Sequence, residues 1–236
     1  MTRPTVSIAC LDIAGTLVTD DGAVLAAFDA ALDEAGLAAA GPERDRATAI
    51  VRATMGQSKI EVFGRILADE QAAQRANLAF ERYFAAAVAA GEVPPLPGAA
   101  ETLLALRAAG IAICLATGFA PVTRDAVIDA VGWRPLVDLA LSPADAGRGR
   151  PWPDLPLTAL LRIGGGSVRE LLVAGDTVAD VESGLRAGAG VVAGVLTGSG
   201  SRAELTAAGA HHVLASVTDL TDLLGLGPAR GQQPAG

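Results

Sequence analysis

The chain has 236 residues, 51% of them apolar and 19% charged, which suits one domain with a substantial insert or two small domains and excludes a disordered polymer. A net charge of −8 with no basic run argues against a nucleic-acid surface. No apolar stretch reaches the roughly 18 residues of a membrane span and no signal-like segment precedes the first apolar run, so a cytoplasmic protein that engages no membrane is expected.

The first element is V-S-I-A-C-L-D-I-A-G-T-L-V, residues 6–18, an apolar run that reaches the carboxylate of Asp12 and then Ala14, Gly15 and the hydroxyl of Thr16. It predicts a buried parallel strand that carries an acid to a sheet edge and turns sharply. An acid so placed binds a metal, attacks an electrophile, or hydrogen-bonds its own loop; the strand alone does not choose. Cys10 here and Cys114 further on lie inside apolar runs and read as core packing, with no disulfide framework or zinc spacing. Thr19-Asp20-Asp21-Gly22 is a polar turn and a hinge. From Ala23 onward, segments 23–35, 44–54, 59–67 and 72–90 carry helical spacing in Ala, Leu, Glu and Arg, with no strand between them. Val93-Pro94-Pro95-Leu96-Pro97-Gly98 is a rigid connector that closes this insert. Residues 19–95 are therefore assigned to a helical unit and 1–18 with 96–224 to a second one.

Helix and strand then alternate: helix 99–109 ended by Gly110, strand 111–116, helix 121–131 with Pro121 at its start and Gly132 at its end, and strand 136–141. Helix 156–162, strand 170–174, helix 178–187 and strand 190–196 follow. Such alternation predicts an α/β fold, a doubly wound parallel sheet with helices on both faces. Gly164-Gly165-Gly166 lacks the Lys-Ser/Thr partner of a phosphate loop and reads as a connector. The only histidines, His211 and His212, read as surface or edge residues, and no Ser-His-Asp or Cys-His device draws on them. Residues 225–236, rich in Gly, Pro and Gln, are expected to fray.

In a doubly wound sheet the carboxyl ends of the strands share one crevice, so Asp12, Thr117-Gly118 and Gly175-Asp176 converge although far apart in sequence. Asp12 and Asp176 suit a divalent cation held by hard oxygens, and Thr117-Gly118 offers neutral donors to an anion at a helix start. Arg150 taken alone is a solvated loop charge; beside these groups it suits a phosphoryl oxygen. Asp180, four residues after Asp176, either caps the following helix or joins a metal site.

Together these residues resemble the haloacid dehalogenase superfamily, whose four motifs match D-I-A-G-T from Asp12, the Thr117 strand end, Arg150, and G-D-T-V-A-D around Asp176. The resemblance implies a Rossmann-like core, a helical cap over the site, Mg2+, and an aspartyl-phosphate formed on Asp12. Phosphatases of that superfamily carry a second acid two residues after the nucleophile to protonate the leaving group. Here that position is Ala14, a loss worth roughly 10²- to 10⁴-fold in ester cleavage.

Lys59 is the only lysine in the chain and lies in M-G-Q-S-K, after Met55 and Gly56. A desolvated lysine becomes a neutral nucleophile, whereas arginine stays protonated. With D-x-A-G-T and M-G-x-x-K, the chain resembles phosphonoacetaldehyde hydrolase and the phosphonatase-like hydrolases. This implies a Schiff base on Lys59 and in-line attack by Asp12 on phosphorus. It also implies phosphoryl contacts from Thr117, Gly118 and Arg150, and Mg2+ held by Asp12, the Ala14 carbonyl and Asp176, with Asp180 orienting and Thr16, Met55 and Gly56 in support. Val62 and Phe119 stand where phosphonatases usually carry His and Tyr, so the substrate expected is an aldehyde- or keto-phosphonate and not necessarily phosphonoacetaldehyde. A Mg-dependent phosphatase and a degenerate binding protein are the alternatives. The Ala-rich cap helices offer a homodimer contact, as in the family.

Overall fold

The structure, a computed structural model, describes residues 6–226. The expectation of a frayed tail concerns residues that lie, from 227 onward, outside them. Six strands form one parallel sheet: β1 (Ile8–Leu11), β2 (Ala112–Ala116), β3 (Leu139–Leu141), β4 (Leu171–Gly175), β5 (Val191–Val195) and β6 (His212–Leu214), in the order β3-β2-β1-β4-β5-β6. The chain moves outward from β1 to β3, then returns to the other side of β1 as β4. That reversal places a crevice at the carboxyl ends of β1 and β4.

The strand alternation of side chains sorts the apolar residues between two layers. Ala9, Leu11, Ile113, Leu115, Leu172 and Ala174 face one layer, with α5 (Ala99–Ala108) and α6 (Pro121–Ala130) packed on them. Ile8, Cys10, Cys114, Leu171 and Val173 face the other, with α8 (Asp154–Ile163) and α9 (Val178–Ala187) over them. Cys10 stands opposite Cys114 across β1 and β2, both free and buried in that second layer. Among the described residues no helix is long and apolar enough to cross a membrane.

Between β1 and α5 lie four helices, α1 (Ala23–Glu34), α2 (Pro42–Ala53), α3 (Lys59–Ile66) and α4 (Glu70–Ala89). The connectors that enter and leave them are tied together: Thr19 N–H donates to the Pro94 carbonyl at 2.9 Å and Leu96 N–H to the Leu17 carbonyl at 2.8 Å. All five phenylalanines of the chain meet under these helices. Phe28 lies 5.1 Å from Phe63 and 4.8 Å from Phe80 by ring centroids, and Phe84 lies 4.6 Å from Phe119, the one ring supplied by the sheet unit.

Strand starts fall one to three residues later than the sequence expectation, and two of these shifts have a local cause. Residues 134–136 form a 3₁₀ turn around Pro135, which has no N–H to give a ladder, so β3 begins only at Leu139. Glu170 ends a second 3₁₀ turn whose Ser167 hydroxyl accepts the Arg169 N–H, and β4 begins at Leu171. Three short helices had no periodicity to reveal them: α7 (Pro143–Ala146), α10 (Arg202–Ala207) and α11 (Leu220–Leu224), while β6 lies on the apolar strand-like stretch that adjoins the histidines. His212 opens the edge strand β6, while His211 Nδ1 accepts the Val192 N–H at 3.1 Å.

Adjacent leucines of α5 test the layer assignment. Leu103 is fully buried and Leu104 is 53% exposed. Leu103→Ala is expected to cost about 2–5 kcal/mol and Leu104→Ala less than about 0.5 kcal/mol, read from denaturant unfolding midpoints. Equal losses would contradict the packing.

Candidate active site

Asp12 leaves β1 and Asp176 leaves β4, adjacent strands whose ends bring the two acids together. Asp180, in the first turn of α9, completes the group: one carboxylate oxygen from each of the three lies within 4.8 Å of the others. Asp176 Oδ2 accepts the Ser199 N–H at 2.8 Å and its hydroxyl at 3.2 Å, and Thr16 Oγ1 donates to Oδ1 at 3.4 Å. Asp180 takes the first of the two roles its spacing allowed, the helix cap. It forms a capping box with Thr177 at the α9 N-terminus and turns Oδ1 toward Arg150.

Arg150 is no solvated loop charge. It is buried, with Nη1 2.7 Å from Asp12 Oδ1 and 2.8 Å from Asp180 Oδ1. It also donates to the carbonyls of Ala116 and Gly56, so the same side chain ties β2 to the loop before α3. Burial works against its charge, but Asp180 and Asp12 outweigh burial and keep it ionised. Burial raises Asp12 to about 6 even with Arg150 pulling the other way, and raises Asp176 to about 8 with help from the negative charges of Asp12 and Asp180. Three acids against one arginine leave the cluster short of positive charge. Hard carboxylate oxygens so placed suit a small divalent cation.

The helical unit closes over this crevice. A Cβ on Gly118 would overlap the Gln57 carbonyl, and one on Gly56 would overlap the Thr177 hydroxyl, so two glycines allow loop and sheet to touch. Lys59 N–H meets the Gly118 carbonyl at 3.4 Å. One cavity is lined from below by Asp12, Ala14, Thr117, Gly118, Arg150 and Asp176. From above it is lined by Met55, Gly56 and Lys59, together with Asp20 and Val24. The structure thus gathers the sequence-derived residues around one space, except that Thr16 and Asp180 stand behind it as partners of Asp176 and Arg150. Thr117 Oγ1 accepts the Phe119 N–H at 3.2 Å.

Lys59 is only 5% exposed. Its Nζ lies 5.7, 5.9 and 5.1 Å from the ring centroids of Phe28, Phe80 and Phe119, and its hydrogen bond to the Gln57 carbonyl is long, at 3.4 Å. Ring faces stabilise an ammonium by about 0.5–2 kcal/mol, less than the several kcal/mol that removing an ion from water costs. Burial accordingly pushes this amine below the ordinary lysine value, opposed in part by Asp12, Asp20 and Glu81. The sequence singled out neither Asp20 nor Glu81 as site residues. Asp20 had only its place in a hinge turn to signal it; Glu81, a lone acid on the buried face of α4, was a charge at a core position.

A family model described as haloacid dehalogenase-like hydrolase matches residues 6–188, a span that includes every residue placed at the site here except Ser199. The chain belongs to the haloacid dehalogenase-like hydrolases. It is 30% identical over 207 residues, 85% of this chain and 86% of the relative, to the "Probable phosphatase IndB" of Dickeya dadantii. It is also 30% identical over 152 residues, 53% of this chain, to a phosphonoacetaldehyde hydrolase of Parabacteroides distasonis, and spans 56% of that protein's length. Among solved structures, the phosphonoacetaldehyde hydrolase-like protein of Oleispira antarctica superposes with a TM-score of 0.78 at 28% identity, covering 98% of this chain and 97% of that one. A hydrolase from Pseudomonas syringae gives 0.81 at 25% identity, covering 93% and 98%.

An acid held above its unfolded value of 3.8 binds its proton more tightly folded than unfolded, so Asp176 favours the metal-free fold at low pH and loses that contribution as pH rises toward about 8. Asp176→Asn, which mimics the protonated form, is expected to match wild type in thermal midpoint near about pH 4 and to exceed it near about pH 8.5 without metal. A constant difference across that range would contradict the charge imbalance.

Proposed function

We propose that this hydrolase cleaves the carbon–phosphorus bond of a small aldehyde- or keto-phosphonate resembling phosphonoacetaldehyde. The single observation that carries the proposal is that a buried, desolvated amine and the strand-end carboxylate of Asp12 line the same cavity.

Neutral Lys59 condenses with the substrate carbonyl, and the iminium becomes an electron sink for the bond two atoms away. An Asp12 oxygen attacks phosphorus, the carbon–phosphorus pair moves into the carbon skeleton as an enamine, and the phosphoryl group remains on Asp12. Water then cleaves that acyl phosphate. Arg150, the Thr117 hydroxyl and the Gly118 backbone line the cavity where phosphoryl oxygens develop charge. Asp12, Asp176 and the Ala14 carbonyl are the oxygens suited to Mg2+, oriented by Asp180 and Thr16, and when bound it supplies neutralisation of phosphoryl charge. An enamine leaving group needs no acid at position 14, so Ala14 is consistent with this chemistry.

The match to the Dickeya protein across most of the chain favours a second possibility, a Mg-dependent phosphatase for small phosphate esters. It leaves the buried amine without a task and the leaving alkoxide without a proton donor. Phosphate release from a panel of phosphonate aldehydes, phosphonate ketones and phosphate esters separates the two. Lys59→Arg is expected to drop phosphonate turnover to background and to abolish a borohydride-trapped adduct at position 59, because a guanidinium forms no imine. Ester turnover that survives Lys59→Arg, with no phosphonate turnover in wild type, would establish the phosphatase instead.

A further inference from the structure

Condensation of an amine with a carbonyl needs an acid to expel the hydroxyl and a base to reverse the step, and this falls to a side chain within reach of Lys59. The rings around Nζ carry no exchangeable proton, nor does Val62, buried one turn along α3. Three carboxylates act on the amine through their charge: Asp12, Asp20 and Glu81. Asp12 is held by Arg150 and is committed to phosphorus. Glu81 is spent at the start of α6, one oxygen accepting the Thr123 hydroxyl and the other the Ala120 N–H. Asp20 is different. Its Oδ1 accepts the Val24 N–H at 2.9 Å, its Oδ2 receives no hydrogen bond among the described residues, and it lines the same cavity as Lys59. Among the described residues no ion pair joins the two, and both line that one cavity.

We propose that Asp20 is the general acid–base of imine formation on Lys59. The inference rests on the imine chemistry proposed above. The Lys59 nitrogen adds its lone pair to the carbonyl carbon, the π pair moves to oxygen, and a nitrogen proton passes to that oxygen to give the carbinolamine. The Asp20 acid gives its proton to the hydroxyl, the carbon–oxygen bond breaks with its pair leaving on water, and the nitrogen lone pair closes the iminium. Asp20 ends as a carboxylate beside a cation. In the return direction, water adds to the iminium carbon and Asp20 takes up the proton released. Burial raises the Asp20 carboxyl above its ordinary value, against the pull of the Val24 N–H and Lys59.

The test is single-turnover reaction of the full chain with phosphonoacetaldehyde, quenched with borohydride and read by mass at residue 59, for wild type, Asp20→Asn, Asp20→Glu and Asp20→Ala with and without formate. Asparagine still accepts the Val24 N–H, so its thermal midpoint should match wild type while adduct formation slows by roughly 10²- to 10⁴-fold. Glutamate should recover part of the rate, and formate should restore the alanine variant. Wild-type trapping rates in Asp20→Asn, or an alanine variant that formate leaves unchanged, would overturn the assignment to Asp20 while leaving the imine standing. Absence of any adduct in wild type would overturn both.

Discussion

Hiding a lysine amine from water inside an apolar box costs more than aromatic faces return, and the rest of this molecule is arranged around that cost. Phe28 and Phe80 come from the helical unit and Phe119 from the sheet unit, so the box exists only when the two are together. A protein with so few aromatics has placed every phenylalanine in one cluster, at the point where helices and sheet meet. The same closure is made by contacts that tolerate no side chain at Gly56 and Gly118, and by Glu81 reaching from α4 to the otherwise uncapped start of α6. Box, closure and latch therefore depend on one another.

Below the box the electrostatics run the other way. Asp12, Asp176 and Asp180 crowd one strand edge with only Arg150 to balance them, and the surplus of negative charge makes the site demand cations. Arg150 touches two of the three acids and also the carbonyls of Ala116 and Gly56, so it links the acid cluster to the loop that carries Lys59. Burial lowers the amine above and raises Asp12 and Asp176 below, so each end of the cavity holds a group shifted toward its uncharged form.

Much of this was legible in the chain. The apolar run through Leu11, the prolines from Pro94 to Pro97 and the helix–strand alternation after Gly98 report local physics, and the structure follows them to within a few residues. Sites at strand ends were legible because the sheet rule brings them together without knowledge of distances. Arg150 was misjudged in isolation because burial is a tertiary property: nothing within G-R-G-R-P-W-P says that one arginine is solvated and the next enclosed. Asp20 escaped because a polar hinge turn looks the same whether it faces water or a cavity. The short helices after Leu196 escaped because five or six residues hold too little periodicity to read.

Since Lys59 is the only lysine, a chain labelled with 13C at lysine Cε gives a single side-chain resonance, and its pH titration reports this amine without assignment. The account predicts a midpoint below the ordinary lysine value of 10.5 in the folded protein, returning to that value when the chain is unfolded. A folded-state midpoint at or above 10.5 would mean an amine that stays charged and solvated, and would contradict the desolvated nucleophile on which the proposed chemistry depends.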